Sequence, residues 1–334
     1  TLAAFKDDGL KQPLVMLAPG AIQDNWLAAA FNVSAFCNSF PMSVAPTYVE
    51  DGKIKFGPLE EGFKEYITLI HDWYEKGYIH SDFVSLNSNW NSPDYANAIT
   101  SGDAGIFYAD QGNLGGYNDA SEIPGFSVEA TYDMHATKDS INHFAQYTKK
   151  SVGNGFKITT NCENVELACR WGDWWYTDEG SLLANYGVEG VSFEYNAEGE
   201  PIFTDLITNN PDGYDFALCL IKYTSSTPCS ICINERNYLG YTDAQVNAID
   251  LWLRNTTSTQ APGAVWTVED QTEYSGISSD VGSFVSTTCL QFITGGKSMD
   301  EWDSFIEEVN SSFDIVRMTE LYQNAIDTYL SIGA

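Results

Sequence analysis

The sequence predicts an α/β chain divided into two lobes. Three observations carry that expectation. At 334 residues the chain exceeds the size at which one hydrophobic core usually stops growing. Helix-like and strand-like segments alternate throughout, which is the pattern of an α/β chain. Extended crossings at about 155–160 and 260–266 bracket a largely helical stretch, so one lobe leaves the other and returns to it. With 43% hydrophobic and 14% aromatic residues there is ample material for both cores, and disorder is not expected.

In order, PLVMLA (13–18) is a short apolar run suited to a buried strand, and residues 23–36 carry apolar side chains at helical spacing. Residues 48–57 read as a hairpin, because Asp51-Gly52 supplies the positive φ of a tight turn. Residues 60–79 form an amphipathic helix with Phe63, Tyr66, Ile67, Ile70, Trp73 and Tyr74 on one stripe and Gly77 as its C-terminal cap. His71 lies beside that stripe and reads as a helix-surface residue. Ala104–Tyr108 is a strand that runs into a polar, Gly-rich loop reaching Tyr117, and 155–161 is a further short strand. Asn164 and Thr177 open two helices, the second closed by Gly187. TDAQVNAIDLWLRNTTS is a helix and residues 261–265 an extended linker. Two helices close the chain, the first opened by Ser298 with Glu301 three residues on, a capping box.

Charge narrows the partners. Sixteen basic residues against 46 acidic ones give a net charge of −30, which repels phosphate backbones and anionic headgroups. Nucleic acid is therefore excluded as a partner, and neutral or cationic ligands are favoured. No run approaches the roughly 18–20 apolar residues of a membrane span. TLAAFKDDG has no basic or apolar leader region and reads as the middle of a helix, so an upstream part is expected. The seven cysteines are odd in number and scattered, which does not make a disulfide framework, and Cys229 and Cys232 stand as an isolated CxxC pair.

Enzyme signatures are missing: no GxSxG elbow, phosphate loop, HExxH or dinucleotide fingerprint occurs. The four histidines are dispersed, and neither a metal nor a cofactor is expected. A binder of neutral polar molecules needs other parts. A sugar offers an apolar ring face and a rim of hydroxyls, matched by aromatic rings beside Asp, Asn and Gln. Two segments after strands have this mixture: Gln23, Asp24, Asn25 and Trp26, and then Tyr108, Asp110, Gln111 and Asn113. Loops at the carboxyl ends of strands are where open α/β sheets place ligands. Against this, Trp26 also suits a helix core, and Tyr108 and Asp110 also suit a loop satisfying its own backbone. Trp90, in a polar loop, and Trp266, after the second crossing, are further candidates. Leu167, Trp171, Trp174 and Trp175 share one face of the helix that begins at Asn164, and that register marks a buried scaffold stripe. Glu189, in the loop after Gly187, is the one candidate kept from this region.

YVEDGKIKFGPLEEGFKEYITLIHDWYEKGYIHSDF, SGDAGIFY, FKITTNCENVELACRWGDWWYTDEGSLLANYGVEGVSFE and FITGGKSMDEWDSFIEEV, in that order, span residues 48 to about 310. These stretches resemble the extracellular solute-binding proteins of bacterial carbohydrate ABC transporters, family 1, in the lipoprotein-type branch. The resemblance implies a two-lobed periplasmic-binding-protein-like fold of type II. It further implies an oligosaccharide ligand captured between lobes that close by a hinge, and delivery to ABC transporter permease subunits. The implied location is outside the cell, lipid-anchored at the surface or periplasmic, with membrane contact only through an anchor outside this chain. By the same comparison the first lobe is incomplete: 1–155 and 266–334 would be the second lobe, and 156–265 the returning, mostly helical part of the first. The Asp-rich calcium loop of some relatives is reduced here to Lys6-Asp7-Asp8-Gly9, so that metal is not expected. The loop ADQGNLGG lacks the tryptophan of the family's second aromatic contact, leaving Tyr108 or Tyr117 for stacking. A surface glycan binder outside transport, or a carbohydrate-active enzyme, is the alternative.

Overall fold

The computed structural model describes residues 1–17, 47–50, 52–86, 92–132, 137, 156–214, 216–224, 233, 235–254 and 263–332. The chain divides into two compact units, Thr1–Thr148 with Ala248–Ala334, and Lys149–Asn247. In the first unit the order is α1 (Leu2–Asp7), β1 (Gln12–Leu14), β2 (Thr47–Glu50), β3 (Lys53–Phe56), α2 (Glu61–Glu75), α3 (Phe83–Leu86), α4 (Pro93–Thr100), β4 (Ala104–Ile106) and α5 (Gln111–Ala120). The second unit holds α6 (Val165–Trp174), α7 (Asp178–Tyr186), β5 (Phe193–Tyr195), β6 (Pro201–Phe203), α8 (Asp205–Thr208), α9 (Phe216–Tyr223) and α10 (Glu235–Tyr238). The chain then passes through α11 (Asp243–Arg254) back to the first unit, which ends with α12 (Val268–Ile293), α13 (Trp302–Ser312) and α14 (Ile315–Ser331).

Of the apolar run at 13–18, Pro13 and Leu14 lie in the strand β1, and Ala18 lies outside the described residues. β1 pairs in parallel with β4, Gln12 opposite Ala104 and Leu14 opposite Ile106. On its other side Leu14 N–H donates to the Tyr78 carbonyl (2.9 Å). Leu14 and Met16 pack with Phe63, Ile67 and Phe292, whereas Val15 and Leu17 pack with Tyr95, Leu114 and Tyr117. A strand covered on both faces loses the alternation of a half-exposed one, which is why the sequence shows an unbroken apolar run. The hairpin also forms, β2 antiparallel to β3 with Glu50 opposite Lys53, and Gly52 takes φ +75°. Its partner in the turn, Asp51, lies outside the described residues. Gln323 of α14 ties the hairpin down, accepting from Ile54 N–H (2.9 Å) and donating to the Gly52 carbonyl (3.0 Å).

The α2 stripe is buried as its spacing predicts: Phe63, Tyr66, Ile67 and Ile70 are fully enclosed, and Trp73 and Tyr74 pack against the same core. His71 Nδ1 sits 3.1 Å from the Ile293 carbonyl, so the ring joins α2 to the end of α12. At the start of the closing pair, Ser298 N–H donates to Glu301 Oε1 (3.0 Å) and Asp300 N–H to Ser298 Oγ (3.2 Å), completing the capping box.

Four expectations need correction. The polar, Gly-rich loop after residue 108 is mostly helix: α5 begins at Gln111, because Asp110 caps it and Leu114 and Tyr117 supply a buried side. Residues 156–159 form no strand. Residues 268–293, not assigned from sequence, form a 26-residue helix. Its Ser, Thr and Gly content lowers helix propensity and hid it, yet Val281, Val285, Cys289 and Phe292 fall on one buried stripe. Finally, the α6 stripe is not buried: Leu167 is 61% and Trp171 53% exposed, with Trp174 and Trp175 half-buried. Sequence spacing fixes which side chains share a helix face, but not whether anything lies against it.

The remainder of the second unit is held by local devices. Asn164 caps α6 by accepting from Leu167 N–H (3.0 Å), and Thr177 caps α7 by accepting from Gly180 N–H (3.1 Å). Gly187 ends α7 at φ +86°, and a side chain there would collide with Ser192 Oγ and the Tyr223 carbonyl. Ser192 Oγ in turn accepts from Val188 N–H (2.8 Å) and donates to the Tyr186 carbonyl (2.7 Å). The buried Arg236 guanidinium donates to the Ala184 and Asn185 carbonyls at the C-terminal end of α7, where a cation complements the helix dipole. Tyr186, Phe193, Phe203, Ile207, Cys219 and Leu220 form this unit's core.

Candidate ligand-binding site

Parallel pairing of β1 with β4 places their carboxyl ends together, and the chain leaving β4 there carries four of the sequence candidates. Tyr108 stands two residues beyond the end of β4 and is half-buried; its carbonyl accepts from the Tyr95 hydroxyl (2.7 Å), which anchors the segment to α4. Asp110 caps α5, with Oδ1 accepting from Asn113 N–H (2.8 Å). One turn into the helix, Asn113 Oδ1 is buried with no hydrogen-bond partner. Gln111, also half-buried, stands at the first position of α5. Tyr117 lies two turns in, buried and edge-on to Phe107 at 5.9 Å between ring centres.

The electrostatics of this corner follow from burial beside one carboxylate. Burial, and then the charge of Asp110, raise the Tyr108 hydroxyl pKa and push that of Tyr117 up to about 12. Burial is also the main cause that raises Tyr95. All three hydroxyls therefore stay protonated at neutral pH and remain donors. The corner gathers phenol donors, carboxamides that donate and accept, and a carboxylate acceptor at a helix start. That is a set for recognising hydroxyl groups without forming a bond to them.

Tyr95 was not among the sequence candidates, although its setting was readable. Ser92-Pro93 is a helix start, with Ser92 Oγ accepting from Tyr95 N–H (3.2 Å) and proline at the first position.

Trp266 occupies a different place in the same unit. It stacks on Tyr322 of α14 (5.6 Å, 23° between planes) and tilts against Tyr274 of α12 (4.8 Å). Burial, followed by Tyr322, pushes the Tyr274 hydroxyl up to about 12. Trp266 is thus a half-buried ring backed by two others rather than an isolated one. Glu189 is exposed in the second unit, in the turn between α7 and β5, where its backbone bridges to Phe193. Gln23, Asp24, Asn25, Trp26 and Trp90 lie outside the described residues. Among the described residues no group of three His, Cys, Asp or Glu is placed to hold a metal ion, and Lys6-Asp7-Asp8-Gly9 forms the end of α1 and its turn. Cys162, Cys169, Cys219 and Cys289 are free thiols, and Cys37, Cys229 and Cys232 lie outside the described residues.

No family model matches the chain. It is 22% identical over 270 residues to the fructooligosaccharide ABC transporter substrate-binding protein FusA of Streptococcus pneumoniae, covering 78% of this chain and 48% of that protein. The chain spans about half the length of that curated relative. Among solved structures, FusA in complex with kestose superposes with a TM-score of 0.68 at 18% identity, over 99% of this chain and 67% of that one. The alginate-binding protein AlgQ2 gives 0.66 at 17% identity, over 98% and 66%. A solute-binding protein of Bifidobacterium longum infantis associated with a transporter of HMO gives 0.62 at 12%, over 98% and 68%. The chain is therefore similar in sequence to a sugar ABC transporter's substrate-binding protein, and it shares the two-lobed α/β fold of the solute-binding proteins.

Proposed function

We propose that this chain acts as the substrate-binding component of a carbohydrate ABC importer, binding an oligosaccharide and passing it to permease subunits. The similarity to the fructooligosaccharide-binding protein carries this reading. The hydroxyl-recognising corner at the carboxyl ends of β1 and β4 supports it: Tyr108, Asp110, Gln111 and Asn113 are the contacts we assign there. Gln23, Asp24, Asn25 and Trp26, which follow β1 in the chain, together with Trp90, Trp266 and Glu189, complete the candidate set. In this reading 1–155 and 266–334 are the second lobe, and 156–265 the returning part of the first lobe. The relatives are binding proteins rather than enzymes, and we assign no catalytic residue. A net charge of −30 favours a neutral glycan over an anionic one. Components of this kind work outside the cell or in the periplasm. No helix among the described residues is long and apolar enough to cross a membrane.

Calorimetric titration and thermal shift against kestose, nystose, neutral maltooligosaccharides and alginate oligosaccharides test this reading. Binding of at least one neutral glycan is expected, weakened tenfold or more by Asn113→Ala and absent for alginate. If every glycan leaves the melting temperature unchanged while the chain is folded, the reading fails.

A further inference from the structure

We propose that the apolar stripe on α6 is an internal interface of a larger solute-binding fold, covered by polypeptide that the solved relatives carry and this chain does not span. Leu167, Trp171, Trp174 and Trp175 stand at i, i+4, i+7 and i+8, one continuous helix face. Beside the stripe, Glu166 and Arg170 pair at 2.7 Å in the open. An amphipathic helix of this kind gains its stability by burying the apolar side, yet Leu167 and Trp171 are more than half exposed.

Two further features mark the face as built for cover. The rings are pre-arranged: Phe156 to Trp171 at 5.3 Å, Trp171 to Trp175 at 5.7 Å and Trp174 to Trp175 at 5.1 Å. Phe156 also packs against Gly172, where an added Cβ would meet the ring at 3.0 Å. Trp175 Nε1, moreover, is a buried donor with no acceptor. Leaving such a group unsatisfied is unfavourable, and a carbonyl brought by a covering segment removes the penalty.

The occupant follows from the comparisons and the charge. Nearly all of this chain, 98–99%, lies within the relatives' fold, while it accounts for only 66–67% of theirs. About a third of each relative's chain is polypeptide that this chain does not match. A second copy of this chain is the less favourable cover, since it brings another −30 charges to the contact. The inference rests on the fold likeness and not on the ligand reading, so glycan titrations do not decide it.

Hydroxyl-radical footprinting read by mass spectrometry at Leu167 and Trp171 tests it without any variant. The 334-residue chain is compared with the longer polypeptide of the same reading frame, and light scattering follows the mass of each. Both residues are expected to be oxidised readily in the 334-residue chain and several-fold more slowly in a monomeric longer polypeptide. Leu167→Ser should then lower the melting temperature of the longer form and leave that of the shorter one in place. Equal oxidation in both forms, or a reading frame with no further polypeptide, overturns the proposal. Protection of Trp171 that grows with concentration as the 334-residue chain dimerises would overturn it in favour of a second copy.

Discussion

The two units handle the same device, an amphipathic helix with an aromatic stripe, in opposite ways. In the first unit the stripes of α2 and α12 close on each other: Phe63, Ile67, Ile70, Val285 and Phe292 are all fully enclosed, with Phe292 5.3 Å from the Trp302 ring. In the second unit α6 carries an equally regular stripe whose Leu167 and Trp171 stand in the open. Helical periodicity states a demand for burial, and only the presence of a partner surface meets it. The second unit's own core, built on Tyr186, Phe193 and Phe203, lies around α7 and the β5–β6 hairpin and leaves that stripe uncovered.

Substitutions can break this contrast or sharpen it. The largest effect is expected at Phe292→Ala, which empties an enclosed site between Trp302 and Phe305 and should lose about 3–5 kcal/mol in urea unfolding. A loss below about 1 kcal/mol would mean that the first unit's core is not the continuous one described. Gly187→Ala comes next. It forces a side chain into φ +86° against Ser192 and Tyr223, so about 2 kcal/mol or more should go from the second unit's transition, followed by near-ultraviolet dichroism. The helix caps should then behave alike in both units. Asp110→Ala and Thr177→Ala each remove one acceptor from a helix start, at roughly 1 kcal/mol, but only the first should also weaken glycan binding. The smallest change belongs to Leu167→Ser, within about 0.5 kcal/mol in this chain because that side chain is already 61% exposed.

An alkaline titration provides a separate check on the first unit. Tyr117 and Tyr274 have hydroxyl pKa values raised to about 12 in the folded state against an ordinary value of 10.0. The folded chain therefore holds these protons more tightly than the unfolded one. The stability they contribute is complete below about pH 10 and is lost as pH rises towards 12. Tyr117→Phe should flatten that decline in a melting-temperature profile, and an unaltered profile would show that the ring is not enclosed as described.

Much of this was legible from residue order. The caps at Asn164, Thr177 and Ser298, the positive-φ positions at Gly52 and Gly187, and the α2 stripe all rest on interactions within a few residues, and local chemistry decides them. The site was legible in part. Asp110 and Asn113 were picked out as hydrogen-bonding residues, but their local role, one capping α5 through the other's N–H, was hidden by the glycines around them. The helix start at Tyr95 is readable from residue order, but its bond to the Tyr108 carbonyl is not, because that bond joins two elements.

By itself, then, the sequence determined the class of the fold, the faces of its helices and the acidity that favours a neutral ligand. Tertiary structure decided three other things. It made a helix of 268–293, whose Ser- and Thr-rich sequence is stabilised by packing Val285 and Phe292 into the core rather than by propensity. It brought Tyr95, Tyr108, Asp110 and Tyr117 into one corner through the parallel pairing of β1 and β4. It also showed that Leu167 and Trp171 of α6, in the register of a core, stand more than half exposed. Periodicity is a property of one segment, whereas burial is a property of two surfaces that meet.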